Sequence, residues 1–190
     1  MKPSKPMPAT AIERDLARTL RQKISEFDEV VQGACWRNSL LVMALMPDDP
    51  DIVYVEGWLL SAEHNFPYEH GWIEVKGVVV DVTLESKEGD LYCGVFRYSV
   101  GEVIPQMHRR DTQPFYAHSK RGRRAMLDSF LELPIDFNMA IALGRLALHY
   151  TGIEQIYVSR EGQEYLQPKL DARWREQRKA QQGVMNGVVS

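Results

Sequence analysis

Cysteine is scarce in this chain: Cys35 and Cys93 are the only two in 190 residues. Two thiols so far apart make neither a disulfide framework nor the clustered ligand set of a structural zinc site, so each is read separately. Long apolar runs are missing too, which argues against a membrane span, and the opening MKPSKPMPATAIERD carries lysines without the apolar stretch of a secretory signal. Neither sign of charge dominates: a formal net charge of −3 and a pI near 6.0 give no global reason to expect nucleic acid or an anionic membrane as the main partner. These absences together point to the cytoplasm. His64, His108, His118 and His149 fall at irregular spacings without the carboxylate or thiol pattern of a metal centre, so neither a metal nor a cofactor is expected.

What is present suits a packed α+β fold. With 44% hydrophobic and 26% charged residues the chain resembles an ordinary globular protein and is long enough for one substantial core. Residues 1–9 hold three prolines and read as a flexible leader, 10–168 as a single domain, and 169–190 as a charged tail. Thr10 is placed to cap a helix over about 11–27, with Ile12, Leu16, Leu20, Ile24 and Phe27 as its apolar stripe. A break at Gln32-Gly33-Ala34 then delivers Cys35 to the start of a largely apolar helix ending at Leu45. Strands follow over Ile52–Leu60, His70–Val75, Val78–Thr83 and Tyr92–Tyr98, rich in β-branched and aromatic residues. Beyond Pro105 the pattern returns to helices near 119–132 and 135–150, which would cover the sheet.

The second and third strands carry the most specific signal. Lys76-Gly77 fits a two-residue hairpin turn, which sets Val75 opposite Val78, Ile73 opposite Val80 and Trp72 opposite Asp81. Because strand side chains alternate, Ile73, Val75, Val78, Val80 and Val82 share one face, and His70, Trp72, Glu74 and Asp81 share the other. In that register His70 and Asp81 are diagonal neighbours, roughly 7–8 Å apart at the backbone, a gap that an imidazole and a carboxylate span. Such a contact fixes the imidazole tautomer and supports the imidazolium, the part played by the third member of a nucleophile–base–orienter set. Cys35, at a helix N-terminus, has unpaired N–H groups and the helix dipole to favour a thiolate, and its own N–H is a candidate oxyanion donor, with Gln32 as a second. Trp36 and Trp72 are candidate pocket residues, and Trp58 is read as lining or packing. Taken singly, Cys35 is as well explained as a small buried residue, His70 as a satisfied strand histidine and Asp81 as a turn cap; their combination is what points to catalysis. Cys93, in an apolar strand, reads as a packing residue.

The pieces Cys35-Trp36-Arg37-Asn38, Tyr54-Val55-Glu56-Gly57-Trp58, Glu69-His70-Gly71-Trp72-Ile73-Glu74-Val75, Val80-Asp81-Val82-Thr83 and Tyr92-Cys93-Gly94-Val95 occur in a telling order. A cysteine at a helix start, a histidine on a strand and an aspartate on the next strand resemble the papain-like fold of the transglutaminase-like superfamily, and within it a small bacterial and bacteriophage group of uncharacterised proteins. That resemblance covers about residues 32–98. It implies a nucleophile helix packed on an antiparallel sheet, with N-terminal helices before it and additional C-terminal helices after it. It also implies Cys35, His70 and Asp81 as a triad working through a thioester on an amide or related acyl bond, in the manner of a peptidase, amidase or deamidase. A protein, peptide or small amide would be the partner. The glutamate before His70 and the glycine after it depart from the His-Ala-Trp common in related sequences, and no tryptophan or proline follows Asp81. The alternative is a non-enzymatic protein that keeps the fold and binds nucleic acid or an acidic partner through the basic 109–124 segment, which includes Arg109, Arg110, Lys120, Arg121, Arg123 and Arg124.

Overall fold

The computed structural model describes residues 7–9, 11–63, 67–107 and 114–133, with 164, 165, 168, 169, 171, 172, 175, 176 and 179 beyond them. The chain divides into two compact units, Met1–Leu133 and Pro134–Ser190. The first unit mixes helices with an antiparallel sheet. Its strands are β1 (Met7–Ala9), β2 (Ile52–Leu60), β3 (Pro67–Val75), β4 (Val78–Val80) and β5 (Leu91–Ser99), and its helices are α1 (Arg14–Ser25), α2 (Cys35–Leu45), α3 (Val100–Met107) and α4 (Lys120–Phe130). A 3-10 turn over Phe115–His118 precedes α4. The helix expected over 135–150 lies outside the described residues, and the described positions from 164 to 179 are helical.

The strand order β1-β5-β2-β3-β4 puts β1 and β4 at opposite edges. Laid flat, these edges would lie four strand spacings apart, roughly 19 Å. Yet Ala9 pairs with Tyr92 of β5, while the Ala11 carbonyl accepts from Val79 N at 3.0 Å and Glu13 N donates to Val79 O at 2.9 Å. Ala9 and Ala11 are two residues apart, at most roughly 7 Å along the chain. The sheet therefore curls until the N-terminal segment bridges both edges. Thus Met7–Ala9, placed in the expected leader, is a pairing strand, and α1 starts later than expected because 11–13 are engaged with β4.

Curling gives the sheet an inner and an outer face. Val55, Leu59, Trp72, Val79 and Tyr92 fill the inside, with Ala9, Ile12, Val53 and Leu84 packed against them. On the outer face Tyr54 stacks with Tyr98, Phe115 meets both rings, and Trp58 meets Phe130 of α4 edge-on. Coverage on both sides explains why the middle of β2 is buried without alternation.

Lys76 and Gly77 both take positive φ, 53° and 79°, as a type I′ hairpin requires, and the pairs Ile73↔Val80 and Val75↔Val78 have the expected register. The strand expected to reach Thr83 stops at Val80. Asp81 ends it: its Oδ1 accepts from Thr83 N at 2.9 Å and Leu84 N at 3.0 Å, folding the chain away from the ladder. Helix α3 begins before Pro105 and has no counterpart among the helices the sequence suggests near 119–132 and 135–150. Its signal is Ser99-Val100-Gly101-Glu102, with the spacing of a capping box, of which one half forms: Glu102 Oε2 accepts from Ser99 N at 2.9 Å, and also from Ser99 Oγ at 3.0 Å.

Gly57 lies at the β2–β5 bulge, where a Cβ would stand 2.2 Å from the Cys93 carbonyl oxygen, a backbone atom held by the ladder. Gly57→Ala is expected to lower stability by at least about 1–3 kcal/mol. Urea unfolding measures it.

Candidate active site

Where β4 ends, the edge of β3 is left open, and α2 closes it. Gly71 lies two residues beyond the Ile73↔Val80 pair, and its carbonyl accepts from Ser39 Oγ of α2 at 3.1 Å. Gly71 also lets Trp36 approach: a Cβ there would lie 2.7 Å from Trp36 Cδ1 and 3.1 Å from Tyr54 Oη. The start of α2 is held from the other side by Asn38, whose Oδ1 accepts from Val31 N at 3.3 Å. Its Nδ2 donates to Val31 O at 2.8 Å and to Thr83 Oγ1 at 3.1 Å. One buried amide thus ties the loop before Cys35 to the turn made by Asp81.

His70 and Asp81 meet on the inner face. His70 Nε2 lies 2.6 Å from Asp81 Oδ2, with both side chains almost wholly buried. Tyr92 Oη donates to the same Oδ2 at 2.9 Å and shares a 2.7 Å hydrogen bond with Ser86 Oγ. Asp81 therefore has two side-chain partners and two backbone N–H donors. Burial alone would raise its carboxyl, but the His70 charge and hydrogen bond, then the Leu84 and Thr83 N–H groups, hold it below the usual 3.8. For His70 burial opposes charge, yet Asp81 and then Cys35, each through charge and hydrogen bonding, outweigh it and raise the imidazole to about 10. Trp72 stacks along His70, ring centroids 6.2 Å apart and planes 20° from parallel.

Cys35 is the first residue of α2 and is buried, and no side chain caps that end of the helix. Cys35 also acts electrostatically on Tyr54 and Tyr116, which belong to the outer-face layer. Two glutamates hold that layer together. Glu56, fully buried, accepts on Oε1 from Tyr54 Oη at 2.9 Å and Phe115 N at 2.5 Å, and on Oε2 from Tyr98 Oη at 3.2 Å and Tyr116 N at 3.0 Å. Glu69 Oε2 accepts from Tyr116 Oη at 2.5 Å, while its Oε1 is buried with no hydrogen-bond partner. Burial raises both carboxyls to about 7, against the donors at each and, for Glu69, with the help of the Glu56 charge.

The other expected residues are dispersed. Gln32 is exposed and lines an open cleft of about 760 Å³ with Arg21, Asp28, Thr83 and Leu84, beside the Asp81 turn. Trp36 stands at the Gly71 edge, Trp72 lies in the inner core and Trp58 packs on α4. Cys93 is buried, and burial raises its thiol to about 11. Of the basic segment, 109–113 lie outside the described residues; Lys120 and Arg121 are exposed, and Arg123 Nη1 donates to Ala117 O at 2.6 Å. Among the described residues no cluster of metal-ligating side chains occurs, and no helix is long and apolar enough to cross a membrane. Glu56, Glu69, Asn38 and Tyr92 were not singled out by sequence reasoning. A glutamate between apolar neighbours in β2 was the available signal for Glu56.

Comparison of the chain with family models, curated proteins and solved structures gives no match.

These shifts set the direction of stability against pH. Between about 4.5 and 7 the folded chain keeps protons on Glu56 and Glu69 that the unfolded chain has lost, so stability falls as pH rises. His70, raised from 6.5 to about 10, contributes fully below 6.5 and continues the fall as pH climbs to about 10. Asp81 contributes above its ordinary 3.8, and that contribution is lost as pH drops through its lowered value. The melting temperature is expected to peak in weak acid. Glu56→Gln and Glu69→Gln should flatten the slope below pH 7, and His70→Gln the slope above it. A wild-type plateau from pH 5 to 8 would contradict the assignment.

Proposed function

We propose that the protein is a cytoplasmic cysteine hydrolase or acyltransferase with a papain-like, transglutaminase-like triad, acting on an amide or related acyl bond of a protein, peptide or small amide. The observation that carries this reading is the setting of His70, bonded through Nε2 to Asp81 at 2.6 Å and facing Cys35 at the start of α2. His70, beside the thiol, carries the Cys35 proton as an imidazolium while sulfur attacks.

In the first half-reaction Cys35 Sγ bonds to the acyl carbon, and the carbonyl oxygen takes up the negative charge. The free N–H groups of the first turn of α2 are placed to receive that charge. Collapse of the intermediate breaks the bond to the leaving group, which takes a proton from His70 and departs, leaving a thioester on Cys35. Asp81, kept ionised by four donors, holds the ring in orientation throughout and stabilises its charged form. In the second half-reaction an acceptor with an O–H or N–H attacks the thioester, sulfur leaves as thiolate, the acyl group passes on, and the acceptor's proton returns through solvent to His70. Nothing in the environment of Lys120 and Arg121 adds support to the nucleic-acid alternative.

Iodoacetamide near neutral pH is expected to modify Cys35 well before Cys93, whose raised thiol is unreactive at that pH. His70→Ala should slow Cys35 labelling at least roughly tenfold. Peptide mass spectrometry reads both sites, and equal labelling indifferent to His70 would overturn the proposal. On any amide the enzyme turns over, Asp81→Asn should lower kcat/KM by roughly 10²-fold or more with little loss of folded protein.

A further inference from the structure

Among the described residues three buried side-chain polar atoms have no partner, Trp36 Nε1, Trp72 Nε1 and Glu69 Oε1, and the first and last, of opposite kind, bear on the outer face of β3. Glu69 Oε1 is an acceptor without a donor, and Trp36 Nε1 is a donor without an acceptor. Buried polar atoms are nearly always satisfied, so an acceptor and a donor left open on one face of β3 call for an explanation. Glu69 is 7% exposed and Oε1 itself is sealed from solvent.

Their placement follows from the strand. Glu69 and Gly71 lie on the same, outer face of β3, one side-chain repeat apart, about 7 Å. Trp36 Nε1 stands 3.3 Å from the point where a Gly71 Cβ would be, and Trp36 directly follows Cys35. Tyr116 joins the same place from the 3-10 turn: it binds Glu69 Oε2 and feels the charge of Cys35. The charge of Cys35 reaches His70 on the inner face and Tyr116, the partner of Glu69, on the outer one. The other ionisable groups around Glu69 are Glu56 of β2 and, through Glu56, Tyr54 and Tyr98.

We infer that Glu69, held by Tyr116, is a second acid–base residue of the site, taking the proton of the acyl acceptor in the second half-reaction while Trp36 Nε1 donates to the acceptor's oxygen. This rests on the thioester reading above. The chemical reason is a division of labour. Asp81 biases His70 toward the imidazolium: having given its proton to the leaving group it takes another from solvent, and in that form it cannot remove a proton from water. Glu69 has a free oxygen and lies where the histidine does not. In hydrolysis the water O–H breaks toward Glu69 Oε1 as its oxygen bonds to the thioester carbon. The C–S bond then breaks, its electron pair returns to Cys35 as a thiolate opposite the His70 imidazolium, and Glu69 releases the proton to solvent. A carboxyl raised to about 7 by burial titrates where such a base operates.

The experiment is a burst assay with p-nitrophenyl acetate on the full chain, as wild type, Cys35→Ala, Glu69→Gln and Glu69→Asp. Wild type should release about one equivalent of p-nitrophenol rapidly and then turn over; Cys35→Ala should lose the burst. Glu69→Gln should keep the burst and lose steady-state turnover at least roughly tenfold. Acetyl-Cys35 should then accumulate in the intact mass, and the limb of the turnover–pH profile near 7 should disappear. Glu69→Asp should recover part of the turnover. Unchanged turnover in Glu69→Gln overturns the inference, as does parallel loss of burst and turnover in both Glu69 variants, which marks a structural role. No burst in wild type would overturn the thioester reading and this inference with it.

Discussion

The contact on which the site depends is the 2.6 Å hydrogen bond between His70 and Asp81, and much of the surrounding structure serves to keep it short, dry and charged. A buried ion pair is costly unless its remaining lone pairs are satisfied. Asp81 meets that condition with Tyr92, Thr83 N and Leu84 N as further donors. The same two N–H groups that satisfy it also turn the chain out of β4. By ending the strand there, Asp81 exposes the edge of β3 on which α2 and Cys35 then settle. One carboxylate thus shapes the backbone that brings its partners together.

On the outer face a second polar layer is built differently. Glu56 gathers the 3-10 turn and two tyrosine hydroxyls around one carboxyl, and every oxygen is matched. Glu69 is matched on one oxygen only. Fully matched networks fix a fold, whereas an unmatched buried atom costs stability without structural return, which is where a functional role is best sought.

Residues with local consequences were legible in the sequence. The Lys76-Gly77 turn and the valine alternation gave the hairpin register, and the register placed His70 and Asp81 on one face. The extent of α2 followed from its apolar run and the Gly33 break. What escaped was long-range. Closure of the sheet depends on Ala9 and Ala11 pairing with strands about 80 and 70 positions away along the chain, and no short window records such pairing. Asn38 and Tyr92 likewise act through partners distant in sequence, and Glu69 drew notice only as a departure next to His70. The pairing of Cys35 with His70 came from resemblance alone; in the structure the Ser39–Gly71 bond and the Asn38 clamp hold α2, which begins at Cys35, against β3 and the Asp81 turn.

Nuclear magnetic resonance of histidine labelled with nitrogen-15 tests the central claim most directly, because the ring nitrogen shifts of His70 report its protonation without any substrate. The account predicts an imidazolium protonated on both nitrogens at pH 8, titrating near 10, with the transition moving down in Cys35→Ala and further down in Asp81→Asn. A His70 that titrates near 6.5 in the wild type, and is indifferent to both substitutions, would contradict it.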